Sequence, residues 1–142
     1  MLLEKNKEVV RRWFEEAWQR EDVSAAVEDF FDPAYIAHSL HGDPVLGIEA
    51  VIRAVVTARS VFPDIRFLVQ DQVAEGDKVV SRLIGRGTHL GELNGTAPTG
   101  KQIMRPGMVM FRLAEGKIVE SWRYWDEKYL EELGIVSVQR RG

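Results

Sequence analysis

The 142-residue chain contains no cysteine. Disulfides, thiolate nucleophiles and cysteine-based metal centres are therefore excluded. Histidine is scarce as well: His38, His41 and His89 are the only three, and no two stand four residues apart as on a metal-binding helix. A metal site is not expected. An excess of positive charge is also missing, with 19 Lys and Arg against 22 Asp and Glu and a formal net charge of -3. That balance argues against a nucleic-acid partner, which calls for a basic face. No long apolar run is present; Met1-Leu-Leu-Glu-Lys5 is too short for a signal peptide or a membrane span, so a cytoplasmic protein with no membrane partner is expected. The segment Gly85-Arg-Gly-Thr-His89 has neither the spacing nor the lysine of a phosphate loop, and no Gly-x-Ser-x-Gly elbow occurs. Its glycines are expected to allow a bulge or a sharp bend.

What is there reads as one domain over residues 1–142, long enough to bury a core without covalent staples. From Glu4 to Arg20, the residues Val9, Val10, Trp13, Phe14, Ala17 and Trp18 form one apolar stripe at helical spacing. Asp22 is placed to cap a second helix, Val23 to Phe31, which Asp32-Pro33 stops. Ala34 to Ser39 reads as a short extended piece, followed by the turn-rich loop His41-Gly-Asp-Pro44. Helical periodicity returns from Gly47 to about Ser60. Four strand patterns then follow: Ile65 to Ala74, Lys78 to His89, Gln102 to Leu113, and Lys117 to Asp126, with tight turns at Glu75-Gly-Asp77 and Glu115-Gly116. A short helical tail, Glu127 to Leu133, ends at Gly134. Helices first and a strand meander second predict an α+β fold, a curved antiparallel sheet wrapped over helices.

The last strand pattern carries the strongest chemical suggestion. Alternation puts Glu120, Trp122, Tyr124 and Asp126 on one face, and Val119, Ser121, Arg123 and Trp125 on the other. An aromatic face ending in one carboxylate suits the floor of a pocket in which Asp126 acts as acid and base on an apolar molecule. Shielded from water beside Trp122 and Tyr124, that carboxyl would have its pKa raised. The competing role for Asp126 is an ordinary cap on the tail helix. The row Met104, Met108, Met110 is either an adaptable ligand lining or plain packing against a helix. His38 is either a hydrogen-bond donor to a ligand or a partly buried histidine, and His41 is solvated. Which strand faces turn inward does not follow from the pattern.

Several segments, in order, resemble the SnoaL-like polyketide cyclases: Asn6 through Trp18, Tyr35-Ile-Ala-His38, Phe62-Pro-Asp64, Gly76-Asp-Lys-Val-Val80 with Arg82, Gly87-Thr-His-Leu-Gly91, Pro98-Thr-Gly100, and Phe111 through Glu120 to Trp122 and Asp126. The resemblance implies the cone-shaped α+β barrel of ketosteroid isomerase and nuclear transport factor two, with three helices and a curved sheet around an apolar pocket. It implies metal-free and cofactor-free ring closure by intramolecular aldol condensation of a polyketide ester. It also places the family's acid/base on Asp126. On that reading the partner is a small apolar carbonyl compound. His38, with Arg86, Tyr124 or His89, would hold its carbonyls, while Phe14, Trp18 and Phe62 form flat walls beside Met108 and Trp122. Association as a homodimer or homotetramer through the sheet is implied too. The alternatives are a binding or interaction module of the same fold without turnover and, third, an epoxide-hydrolase-like or ketosteroid-isomerase-like activity. Arg105-Pro-Gly107 matches no catalytic position of the cyclases.

Overall fold

A computed structural model describes residues 1–135. Helix α1 (Leu2–Glu15) runs into a 3₁₀ turn (Ala17–Gln19). Its stripe of Val10, Trp13, Phe14 and Ala17 is buried, as the periodicity requires. Helix α2 (Val23–Phe30) starts where the Asp22 carboxylate accepts the Ala25 N–H at 3.0 Å. A cap of that kind is worth about 1 kcal/mol. The chain passes directly into β1 (Phe31–His38), then β2 (Val45–Leu46), which the loop signals did not disclose, and α3 (Glu49–Val61). Strands β3 (Arg66–Glu75), β4 (Lys78–Thr88), β5 (Gln102–Ala114) and β6 (Lys117–Trp125) form the meander, closed by α4 (Lys128–Glu132).

The six strands lie in the order β2-β1-β6-β5-β4-β3. Every pairing is antiparallel except β1 with β6, which run parallel. The expected antiparallel sheet thus has one parallel seam, because β1 comes from the helical half and crosses over to the last strand of the meander. The sheet is long and bends around the helices, forming the cone-shaped α+β barrel.

The inner face is unambiguous. On β4 it carries Val79, Ser81, Leu83, Gly85 and Gly87; on β5, Ile103, Val109, Phe111 and Leu113 are buried. Phe14 stacks on Phe111 with ring centres 5.6 Å apart, and Trp13 meets Phe31 edge-on at 4.7 Å. Rings of this size, taken fully out of water, contribute about 1.5–3 kcal/mol each. The β4 glycines make room for rings rather than a bulge. A Cβ at Gly85 would meet the Phe67 ring at 2.8 Å, and one at Gly87 would meet Phe62 at 2.9 Å. The shifts in register fall elsewhere, between Phe31 and Ile36, between Val69 and Asp71, and between Arg112 and Leu113.

Candidate active site

Between the inner sheet face, α1 and α3 lies a cavity of about 610 Å³. Its walls are largely aromatic, with Trp13, Phe14, Trp18, Phe62, Phe67 and Trp125 among the lining residues. The α3 side presents small residues, Ala50, Ala54 and Ala58, and leaves an opening there. No helix among the described residues is long and apolar enough to cross a membrane, and no group of three or more His, Asp or Glu side chains gathers among them as a metal site would.

The polar groups of the cavity have one character. Tyr35 comes from β1, and its hydroxyl is hydrogen-bonded to Ser121 Oγ on β6. Burial pushes the Tyr35 phenol above its ordinary pKa, while the Ser121 hydroxyl and the nearby Arg123 charge pull it back in part. Tyr35 therefore stays protonated. Arg123 lies on the inner face of β6, two residues from Trp125, and forms no ion pair among the described residues. Arg105 follows the same inner face of β5; its guanidinium carbon lies 5.0 Å from the Trp125 ring centre and 5.4 Å from that of Tyr129. One of its amino groups reaches Glu127 at 3.3 Å, while its Nε–H is buried with no partner among the described residues. The indole N–H of Trp18 is buried without such a partner too. Tyr129 has its phenol pushed up by burial, with Arg105 opposing that shift and Glu127 adding to it. Among the described residues, every charged one bordering the cavity is an arginine (Arg53, Arg86, Arg105 and Arg123), and no carboxylate or imidazole lines it.

The site expected from the sequence is therefore divided. Phe14, Trp18 and Phe62 line the cavity, and Arg86 borders both it and a shallow depression outside. Trp122, Tyr124 and Met108 face away from it, on the outer surface of the sheet, where Met108 is paired with Tyr124 and Met110 with Trp122. The aromatic row of β6 is thus the outside of the barrel, and its other face, with Ser121, Arg123 and Trp125, is the floor. The reason is packing: Trp125 fits over Gly107, and Ser121 is small enough to be fully buried beneath Tyr35.

His38 is on the outer side as well. Its Nε2 lies 2.6 Å from Glu120 Oε2 and its ring stacks on Trp122 at 5.0 Å. Glu120 also accepts from Arg112 Nε at 2.9 Å; the His38 hydrogen bond, more than the Arg112 contact, lowers its pKa against the opposing effect of burial. Asp126 is exposed, outside the cavity lining, and its Oδ1 accepts the Lys128 N–H at 2.7 Å. This hydrogen bond closes a turn just ahead of the tail helix, whose N-cap is Glu127 rather than the expected Asp126. The desolvated setting expected for its carboxyl is not where the fold places it, because alternation along β6 turns Trp125 in and Asp126 out.

His89 is fully buried yet not among the lining residues. Its Nδ1 accepts the Thr99 N–H at 3.2 Å and lies 2.9 Å from Thr99 Oγ1, tying the long β4–β5 connection to the end of β4.

Comparison with known proteins agrees with this architecture. The sequence model of the SnoaL-like polyketide cyclases matches residues 8–132. No curated protein matches the chain in sequence. Among solved structures, AclR, a candidate hydroxylase from Streptomyces galilaeus, is 27% identical with a TM-score of 0.82 over 93% of this chain and 82% of its own. A candidate SnoaL-like polyketide cyclase from Jannaschia sp. CCS1 is 25% identical with a TM-score of 0.81, covering 96% and 94% of the two chains. IdmH, a candidate polyketide cyclase from Streptomyces antibioticus, is 28% identical with a TM-score of 0.79, covering 92% and 99%.

Proposed function

Because the chain belongs to the SnoaL-like polyketide cyclase family, we propose that it binds a small apolar carbonyl compound in the cavity and promotes its ring closure by stabilising the enolate. The observation that carries this reading is a protonated Tyr35 beside an Arg123 that forms no ion pair among the described residues, in a largely apolar cavity. A hydrogen-bond donor and a fixed positive charge in a dry setting stabilise a developing oxyanion far more than they would in water.

A carbon flanked by two carbonyls is itself acidic and needs no strong base. Its proton leaves to water at the α3 opening, and the negative charge moves onto a carbonyl oxygen held by Arg123 and Tyr35. The enolate carbon attacks the second carbonyl of the same molecule, forming the carbon–carbon bond. Tyr35 donates its proton to the new alkoxide, and solvent returns one to Tyr35. The walls formed by Phe14, Trp18 and Phe62 hold the ligand folded, which supplies the orientation that an intramolecular reaction rewards. In this mechanism Asp126 takes no part.

The test uses 1-phenylbutane-1,3-dione, whose enolate is followed by absorbance. Its apparent pKa on the protein is expected to fall by about one unit or more, as for an acid beside a fixed opposite charge. Tyr35→Phe and Arg123→Gln should each remove much of that fall. Binding without any change in acidity would favour the second reading, a binding module without turnover. That reading draws support from the turn hydrogen bond of Asp126 and from the absence of carboxylate or imidazole among the described lining residues.

A further inference from the structure

We infer that the natural ligand of the cavity is an organic anion, an apolar body bearing a carboxylate that Arg105 receives. This rests on the proposal that the cavity holds a small molecule, and it names the class of that molecule.

The charge distribution is the first observation. The chain as a whole carries a net charge of -3, yet the four charged residues at the cavity are all arginines. Arg53, Arg86 and Arg123 form no ion pair among the described residues, so their charge is not cancelled locally. A cavity with walls of low dielectric concentrates such a field on whatever it contains. Arg53 and Arg86 are exposed and screened by solvent, so the guanidinium groups a ligand would meet are those of Arg105 and Arg123 on the inner sheet face. A cation would be repelled.

The second observation is the state of Arg105. Its guanidinium lies against two rings, Trp125 and Tyr129, which restrict its orientation. Glu127 takes one amino group, and the Nε–H is left buried with no partner among the described residues. The Arg105 side chain is partly exposed, but its Nε–H is not, and an unmade hydrogen bond on that buried donor costs free energy that an acceptor brought by a ligand would recover. The Trp18 indole N–H is in the same condition. It belongs to the same aromatic network, with Trp18 4.7 Å from Phe67 and Phe67 5.6 Å from Trp125. The two unpartnered polar atoms, Arg105 Nε–H and Trp18 Nε1–H, are therefore both donors, and a carboxylate is acceptor only. The surroundings are too apolar to suit a phosphate dianion, which needs more donors than one guanidinium edge.

Arg105 is fixed by its neighbours in sequence. Gly107 admits the Trp125 ring that the guanidinium stacks on, and the Pro106 carbonyl accepts the Asp126 N–H at 2.9 Å, holding the end of β6 to β5. Arg105-Pro-Gly107 thus builds the platform of the proposed carboxylate seat.

The experiment compares 2-naphthoate with methyl 2-naphthoate by calorimetry on the intact chain. The acid is expected to bind about tenfold more tightly than the ester at neutral pH, the worth of one charge-assisted hydrogen-bonded contact. Raising the salt concentration should weaken the acid and not the ester. Arg105→Gln should reduce the preference to about twofold or less with the ester affinity retained, and Arg105→Lys should keep part of it. Retained ester binding shows that the variant is folded. Equal affinity for the two probes, or a preference for the ester, overturns the anionic class while leaving the cavity reading intact. A preference for the acid that survives Arg105→Gln overturns the assignment to Arg105. If neither probe binds, the cavity reading itself falls, and this inference with it.

Discussion

Gly107 lies directly beneath the indole of Trp125: a Cβ built on this glycine would overlap the ring. The two residues are cross-strand partners on β5 and β6, and their contact sets the floor of the cavity. Any side chain at position 107 must lift the indole, and with it the surface on which Arg105 stacks. Gly107→Ala is expected to cost about 1–3 kcal/mol of stability, the usual penalty for overpacking. It should also weaken ligand binding. Thermal unfolding and calorimetry with 2-naphthoate check both, and an alanine tolerated without loss of either would show that Trp125 has another place to go.

Asp126 provides the sharpest contrast between readings of the sequence and of the structure. Its carboxylate accepts the Lys128 N–H outside the cavity. Asp126→Ala should therefore lower stability by about 0.5–1 kcal/mol, the net worth of one exposed turn hydrogen bond, and leave the acidity shift of the bound diketone unchanged. The spectrophotometric titration described above reads the second quantity directly. Loss of the acidity shift with full binding would return the acid/base role to Asp126.

The elements of this fold were legible because its signals are local. The α1 stripe, the Asp22 cap and the glycine turns each rest on a few neighbouring residues, and each appears where the pattern places it. The parallel seam and β2 were not legible. Pairing of β1 with β6 joins residues more than 80 positions apart, and two residues of strand carry no periodicity. The site failed for a related reason. Period-two alternation identifies two faces but not which is inside, and the face of β6 with more aromatics, Trp122 and Tyr124, is the outer one. A signal was nonetheless present. Gly107 stands opposite Trp125 on one face and Met108 opposite Tyr124 on the other, and a glycine facing a tryptophan marks the side where a ring must fit tightly. With that choice, Arg123 and Arg105 are inward, and the donor-rich cavity follows. Tyr35 was quoted only within a resemblance; its contact with Ser121 is tertiary and lies beyond any spacing rule.

Among the described residues, part of the outer face of the sheet is apolar and exposed. Met104, Met108 and Tyr124 are each about half exposed, at 52%, 50% and 52%, and Leu68 adds to the patch at 46%. A row of this kind supports self-association through the sheet, with His38, Glu120 and Arg112 as polar groups on the same face. Light scattering is expected to give a dimer or tetramer. Met108→Asp, which opposes Tyr124 across strands, should shift it toward monomer while the 2-naphthoate affinity stays within about twofold, since the opposite face holds the cavity. A wild-type chain that is monomeric at high micromolar concentration would rule this face out as the contact.

Asp64 offers a pH-dependent test of the hold between the end of α3 and β4. Its Oδ1 accepts the Thr88 N–H and its Oδ2 accepts the Thr88 hydroxyl, each at 2.7 Å. The Thr88 hydroxyl, then the Thr88 N–H, hold the carboxyl below its ordinary pKa, with Arg66 adding a smaller pull. A group whose folded pKa is depressed binds its proton more readily when unfolded. Its contribution is therefore complete above the unfolded value of about 3.9 and is lost as pH falls through the lower folded value. Asp64 is exposed, so the two hydrogen bonds together are worth about 1 kcal/mol after solvent screening. Asp64→Ala should lower the melting temperature by about 3 °C at pH 7. The gap should narrow as pH drops below about 4, because the wild-type carboxylate is then protonated as well. Glu120, whose pKa is also depressed, titrates in both proteins and cancels in the difference. Melting curves of the two proteins at matched pH decide the matter. A gap constant from neutral pH to well below 4 would mean that the ionised carboxylate is not what fastens Thr88.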